Sequence, residues 1–193
     1  MVIALMCALL WVPGWVVAAN LDKALEAHQA GDFQTALAHW LVFAEQGNAS
    51  AQSNLALMYE HGKGVVQNHQ AAVHWYTLAA QQGDAVAQSN LGAMYDTGRG
   101  VAENDNTAVV WLNLAAVQGY AHAQAYLGVM YVNGEGVTAD YLRAYMWWSL
   151  AADNGDQPSA QYKHSIASKM SPAHLTQAQQ MVTKCFNSGY DDC

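Results

Sequence analysis

The stretch that decides the fold is AQSNLGAMYDTGRGV at residues 87–101, because two further versions of it stand at a constant distance. AQSNLALMYEHGKGV occupies residues 51–65 and AQAYLGVMYVNGEGV occupies residues 123–137, so the period is 36 residues. When copies 50–85, 86–121 and 122–157 are aligned, fourteen of the 36 columns are identical in all three. A fixed period of this length is typical of an array in which each structural unit stacks on the next.

Each copy carries the apolar patterns of two helices separated by a glycine corner. In the first copy, Ala51, Leu55 and Met58 recur at helical spacing and predict one buried helical face. A second apolar helical pattern follows at residues 72–80. Between them Gly62 is suited to the left-handed conformation that ends a helix. The sequence therefore predicts an all-α array of helix pairs, in which neighbouring pairs cover each other's apolar faces.

The composition excludes several classes of protein. Lys plus Arg is 7 and Asp plus Glu is 15, which gives a net charge of −8 and argues against a nucleic-acid partner. The hydrophobic fraction of 53% against 11% charged residues argues against disorder. The 7 Trp and 10 Tyr residues are explained by packing between stacked helices, so we predict no cofactor.

The first 19 residues differ in character from the rest of the chain. They contain no charged residue, are interrupted by Pro13-Gly14 and end in Ala18-Ala19, which predicts a signal peptide over residues 1–19. This favours a periplasmic or secreted protein. No Lys or Arg precedes the apolar run. The alternative is that this segment is retained as a membrane anchor. We expect contact with a membrane only through such an uncleaved signal.

The cysteine usage agrees with export. Cys7 would leave with the signal peptide, and Cys185 and Cys193 remain near the end of the chain. An even number of cysteines in an exported protein favours a disulfide between them. Two free thiols are the alternative.

The repeated block resembles the Sel-1-like repeat. The block from Ala87 to Val101, followed by Trp111 and by Ala115-Ala116-x-x-Gly119, carries this resemblance. It implies a right-handed α/α superhelix of about five antiparallel helix pairs, since the flanks 20–49 and 158–193 look like a partial repeat and a closing helix pair. Members of this family generally act as adaptors that hold proteins or peptides, often in bacterial envelope complexes.

Motifs for chemistry are missing from the sequence. The eight His residues form no zinc spacing, and no Gly-x-Ser-x-Gly supports a nucleophile, so we predict neither a metal site nor a catalytic residue. The leading hypothesis is a non-catalytic scaffold for a protein or peptide in the bacterial envelope. Two alternatives remain open, an envelope hydrolase that acts on cell-wall material and a regulatory subunit of a membrane complex.

The candidate binding residues are polar positions of the first helix of each pair, which the resemblance places on the concave side. Most of them vary between copies at columns off the apolar face, where partner specificity can reside. The predicted set is Ser53, Asn54, Glu60, His61, Ser89, Asn90, Asp96 and Tyr126.

Asparagine side chains offer a donor and an acceptor to a peptide backbone. For Asn54 and Asn90 the alternative is hydrogen bonding within the stack. For Gln52, Gln88 and Gln124, which are identical in all copies, we favour a buried amide that bridges neighbouring units. The sequence names neither the partner nor the oligomeric state.

Overall fold

The structure, a computed structural model, describes residues 20–191 and 193, and the elements found there are ten α-helices with no strand. The prediction of an all-α solenoid is confirmed, whereas the predicted signal peptide lies outside the described residues. The helices are α1 (Leu21–Gln29), α2 (Phe33–Glu45), α3 (Ala49–His61), α4 (His69–Gln81), α5 (Ala85–Thr97), α6 (Asp105–Ala116), α7 (Ala121–Asn133), α8 (Tyr141–Asp153), α9 (Gln157–Ala167) and α10 (Pro172–Asn187).

Local sequence signals set the ends of the repeated helices. The Asn48 and Asp84 side chains accept hydrogen bonds from the backbone of Ala51 (2.9 Å) and Ala87 (2.7 Å), so they satisfy amides that the first turn leaves open. Gly62 ends α3 at φ +67°, in the left-handed region that glycine adopts without steric cost. The corresponding glycines end α5 and α7 in the same way.

The pairs stack into one continuous array. Within the pairs α1–α2, α3–α4, α5–α6 and α7–α8 the helices pack closely, and each second helix also packs against the first helix of the next pair. The buried side chains form three clusters, and the half-buried aromatic residues Tyr59, Trp75 and Tyr95 contact two clusters each. Each pair thus completes its core by contact with its neighbours.

The second glycine of the corner lets neighbouring pairs approach each other. A Cβ atom added at Gly64 would lie 2.7 Å from the Cβ atom of Phe33, at the start of α2. At Gly100 the obstruction would be the backbone carbonyl of His69, at the start of α4. Since positive φ values also favour glycine at these corners, both conformation and space select the residue.

Buried glutamines join three helices at every repeat. The Nε2 atom of Gln88 donates to the carbonyl of Ala80 (3.1 Å), and its Oε1 atom accepts from the side chain of Gln118 (2.7 Å). Gln52 and Gln124 make the same two kinds of bond one period before and one period after. The predicted bridging role of these amides is therefore seen in all three copies.

The C-terminal segment departs from the repeat. Helix α9 begins at Gln157, because Asp156 caps it through the backbone amide of Ser159 (3.0 Å). The main neighbour of both α9 and α10 is α8, so these two helices do not form a hairpin like the preceding ones. A disulfide joins Cys185 and Cys193, as the cysteine count predicted. Within the described part of the chain, no helix is both long and apolar enough to span a bilayer.

Candidate functional site

One surface that varies between repeats is the first-helix face, which we define as Asn54, Asn90, Tyr126 and Tyr162 with the flanking row Leu57, Ala93 and Val129. These positions share one side of α3, α5, α7 and α9, because residues three apart on a helix are neighbours. Their side chains are half-buried or exposed. The face therefore combines access from solvent with support from a packed stack.

A buried polar network crosses from the first repeat to the second below this face. Glu60 retains only 7% of its exposure, and its carboxylate accepts a hydrogen bond from the Tyr76 hydroxyl (2.9 Å). Arg99, from the next glycine corner, donates to the other carboxylate oxygen at 2.9 Å. The Nδ2 atom of Asn90 donates to the Tyr76 hydroxyl at 3.1 Å. The buried charge of Glu60 is thus paired and hydrogen-bonded, as burial requires.

One repeat further on, a simpler contact replaces this network. The Tyr126 hydroxyl donates to Asp96 at 2.5 Å. Burial, followed by the Asp96 hydrogen bond and charge, raises the pKa of Tyr126 far above its usual range. Burial and the Glu60 charge do the same to the pKa of Tyr76. Both phenols therefore remain protonated donors at any ordinary pH.

The remaining predicted residues have different environments. Ser89 is fully buried, and its hydroxyl lies 3.1 Å from Nδ1 of His122, while Ser53 keeps 7% of its exposure. Asn54 donates to the Ser50 carbonyl of its own helix (2.9 Å), and His61 is exposed. The structure thus joins Glu60 to Asn90 and Asp96 to Tyr126, but leaves Ser53 and Ser89 with little or no access to a partner.

Sequence reasoning missed the aromatic end of the face. Tyr162 is 49% exposed and stands 36 residues after Tyr126, so the same column of the repeat carries it onto α9. Its ring packs 5.4 Å from Trp148, whose indole nitrogen donates to the Ala125 carbonyl (3.0 Å). The signal that reveals Tyr162 is the period itself, extended past the third copy. Arg99 was missed because its column changes from Lys to Arg to Glu.

A serine and a histidine meet between α5 and α7. Ser89 and His122 are close enough for a nucleophile and a base. However, the serine hydroxyl is buried, and His122 makes no hydrogen bond to a carboxylate among the residues described. Open depressions of about 380 Å³ along α10 and about 330 Å³ beside Asp140 contain neither residue. Over residues 20–191 and 193, no group of three or more His, Cys, Asp or Glu side chains is placed to hold a metal ion.

Comparison with known families identifies the class of protein. The family model described as "Sel1 repeat" matches residues 49–84, 85–120 and 121–156, which together make up more than half of the chain. The chain belongs to the Sel1 repeat family. Sel1 repeat proteins generally serve as scaffolds for protein–protein interaction, and this coarse role applies to the family as a whole. No curated protein sequence matches the chain.

Solved structures agree with this assignment. The chain is similar to a Sel1 repeat protein from Oxalobacter formigenes, with 30% identity and a TM-score of 0.68, over 89% of this chain and 78% of the other. It is also similar to c5321, a protective antigen of uropathogenic Escherichia coli with an SLR fold, at 26% identity and a TM-score of 0.53. That match covers 89% of this chain and spans 47% of the other protein.

Proposed function

We propose that this protein is a non-catalytic scaffold that holds a protein or peptide along the first-helix face. The observation that carries the proposal is the pattern on that face. One column of the repeat changes along it from amide to aromatic side chains while the packing around it repeats: Asn54, Asn90, Tyr126 and Tyr162. A repeated frame that presents changing side chains along one line is suited to binding an extended partner. The general role of the family supports this proposal.

The scaffold is favoured over the envelope hydrolase by the burial of Ser89, the serine in the described part of the chain whose hydroxyl is hydrogen-bonded to a histidine ring. Ser89 lies on α5 and is fully buried, with its hydroxyl against His122 near the start of α7, so it does not face a substrate directly. A hydrolytic site needs its nucleophile beside a cleft that admits the substrate.

We propose the bacterial envelope or the extracellular space as the location of this scaffold. The uncharged segment 1–19 and the Cys185–Cys193 disulfide support this proposal, since disulfides persist in oxidising compartments. The test is the protein's location after fractionation of its native cells. Recovery of the mature chain in the cytoplasm would contradict it.

Photocrosslinking tests the binding face directly. A photoreactive phenylalanine analogue replaces Ala93, at the centre of the first-helix face, and a matched variant carries it at Val110, which is 58% exposed on α6. In envelope extracts we expect discrete adducts from position 93 and none from position 110, because a bound partner covers one face. Adducts at both positions, or at 110 alone, would overturn the proposal.

A further inference from the structure

The charges beside the first-helix face are unbalanced. In the described part of the chain, the charged groups that act on Tyr76 and Tyr126 are three carboxylates, those of Glu60, Asp96 and Glu135, and one cation, Arg99. Arg99 is committed to Glu60 at 2.9 Å. Asp96 accepts the Tyr126 hydroxyl at one oxygen, and no salt bridge to it occurs in residues 20–191 and 193. One oxygen of the half-buried Asp96 is thus open to an additional donor.

The surface next to Asp96 is aromatic and aliphatic. Tyr126 and Tyr162 occupy successive positions of the face, and Val129 is 40% exposed beside them. The His122 ring lies 6.4 Å from Tyr126. Aromatic rings attract cations at their faces, and they also accept apolar side chains.

We infer that the first-helix face takes an extended peptide segment that carries an arginine or lysine next to an apolar residue. The basic group lies on Asp96 and against the Tyr126 ring, and the apolar side chain lies on Val129 and Tyr162. This inference rests on the proposed function and names the chemistry of the partner at that site. The net charge of −8 acts in the same direction, because it speeds the approach of a cationic partner.

An acidic segment fits this surface poorly. Its carboxylate would have to displace Glu60 from Arg99, although Glu60 is buried and holds that guanidinium at 2.9 Å. It would also lie close to Asp96, and like charges in one site repel each other. The charges already present therefore favour a basic occupant.

The experiment is selection from a phage-displayed random heptapeptide library against the full chain. We expect the enriched peptides to contain Arg or Lys more often than the starting library. For a synthetic peptide from this set, Asp96→Asn should weaken binding about tenfold, the scale of a hydrogen bond to a charged group. Asparagine retains an acceptor for Tyr126 but loses the charge. The matched control is Asp153→Asn, an exposed position at the end of α8 that should leave binding unchanged.

A charge exchange makes the result specific. Asp96→Lys should reject the basic peptide and bind a version with Glu in place of its basic residue, because the sign of the pair is restored. Enrichment without excess basic residues, or equal binding by wild type and Asp96→Asn, would overturn this inference.

The test also separates the inference from the proposed function. One outcome is that the selected peptides lack basic residues but no longer bind the Val129→Arg variant. The first-helix face is then still the binding site, but the inference that it prefers a basic segment fails. If no selected peptide depends on Val129, or if no peptide is enriched, both proposals fail.

Discussion

At the scale of single residues, the amide of Gln88 shows how one side chain ties the repeats together. It is buried, it donates to the Ala80 carbonyl at the end of α4, and it accepts from the Gln118 side chain just after α6. A buried donor or acceptor that loses its partner pays the cost of its own desolvation. The identity of this column in all three copies follows from that cost.

Gln88→Met should therefore lower the free energy of unfolding by about 1–3 kcal/mol, because methionine fills similar space but loses two hydrogen bonds, the one to the Ala80 carbonyl and the one from the Gln118 side chain. Chemical denaturation followed by circular dichroism measures the change. Gln81→Met, at an exposed position of α4, is the matched control and should stay within about 0.5 kcal/mol of wild type. An equal effect of both substitutions would contradict the role of the bridge.

At the scale of helices, a small residue on the first helix is matched to a large one on the second. Gly92 faces Leu112, and Gly128 faces Trp148, where an added Cβ atom would overlap the indole ring. In the first copy these two columns hold Ala56 and Tyr76, both fully buried. The distance between paired helices thus depends on the pair of residues, and neither column alone determines it.

Gly128→Ala should destabilise the protein by about 1–3 kcal/mol, since overlap with Trp148 exceeds the gain in helix propensity. Thermal unfolding followed by circular dichroism measures the shift. Adding Trp148→Tyr recreates the Ala56–Tyr76 pair of the first copy and should recover part of the loss. A rise in stability for Gly128→Ala alone would show that α7 and α8 move apart freely.

At the scale of the whole molecule, the C-terminal end of the stack is closed by a disulfide loop and α10 and not by another repeat. The disulfide closes residues 185–193 and holds Tyr190, whose hydroxyl lies 2.9 Å from Nδ2 of Asn154. The same Nδ2 atom donates to Gln124, so this loop connects to the last glutamine bridge. Helix α10 thereby covers the core that the third repeat leaves open.

Cys193→Ser should lower the free energy of unfolding by about 2–3 kcal/mol, the usual effect of opening a short disulfide loop. In a stack, each helix pair is stabilised mainly by the pairs next to it. Amide hydrogen exchange should therefore become faster in α10, next to the disulfide, than in the distant α3. Reduced wild-type protein should match the variant. Unchanged exchange in α10 would mean that helix packing alone holds the C-terminus.

Much of the fold could be predicted from the sequence because its signals are local. The helical spacing of Ala51, Leu55 and Met58 and the corner glycine Gly62 act within one or two turns of the chain, and the 36-residue period repeats both signals. They identify the helix pairs and require them to stack, which led to the correct class of fold.

Which surface residues act together was decided by the tertiary structure. Arg99 meets Glu60 across 39 positions of sequence, and Tyr126 meets Asp96 across 30, so these contacts depend on how adjacent pairs are stacked. The same stacking buries Ser89 and brings Tyr162 into line with Tyr126. The amino-acid sequence alone determined that helical pairs recur and pack. The side chains left for a partner follow from long-range packing, since burial and pairing depend on neighbours that the local pattern does not specify.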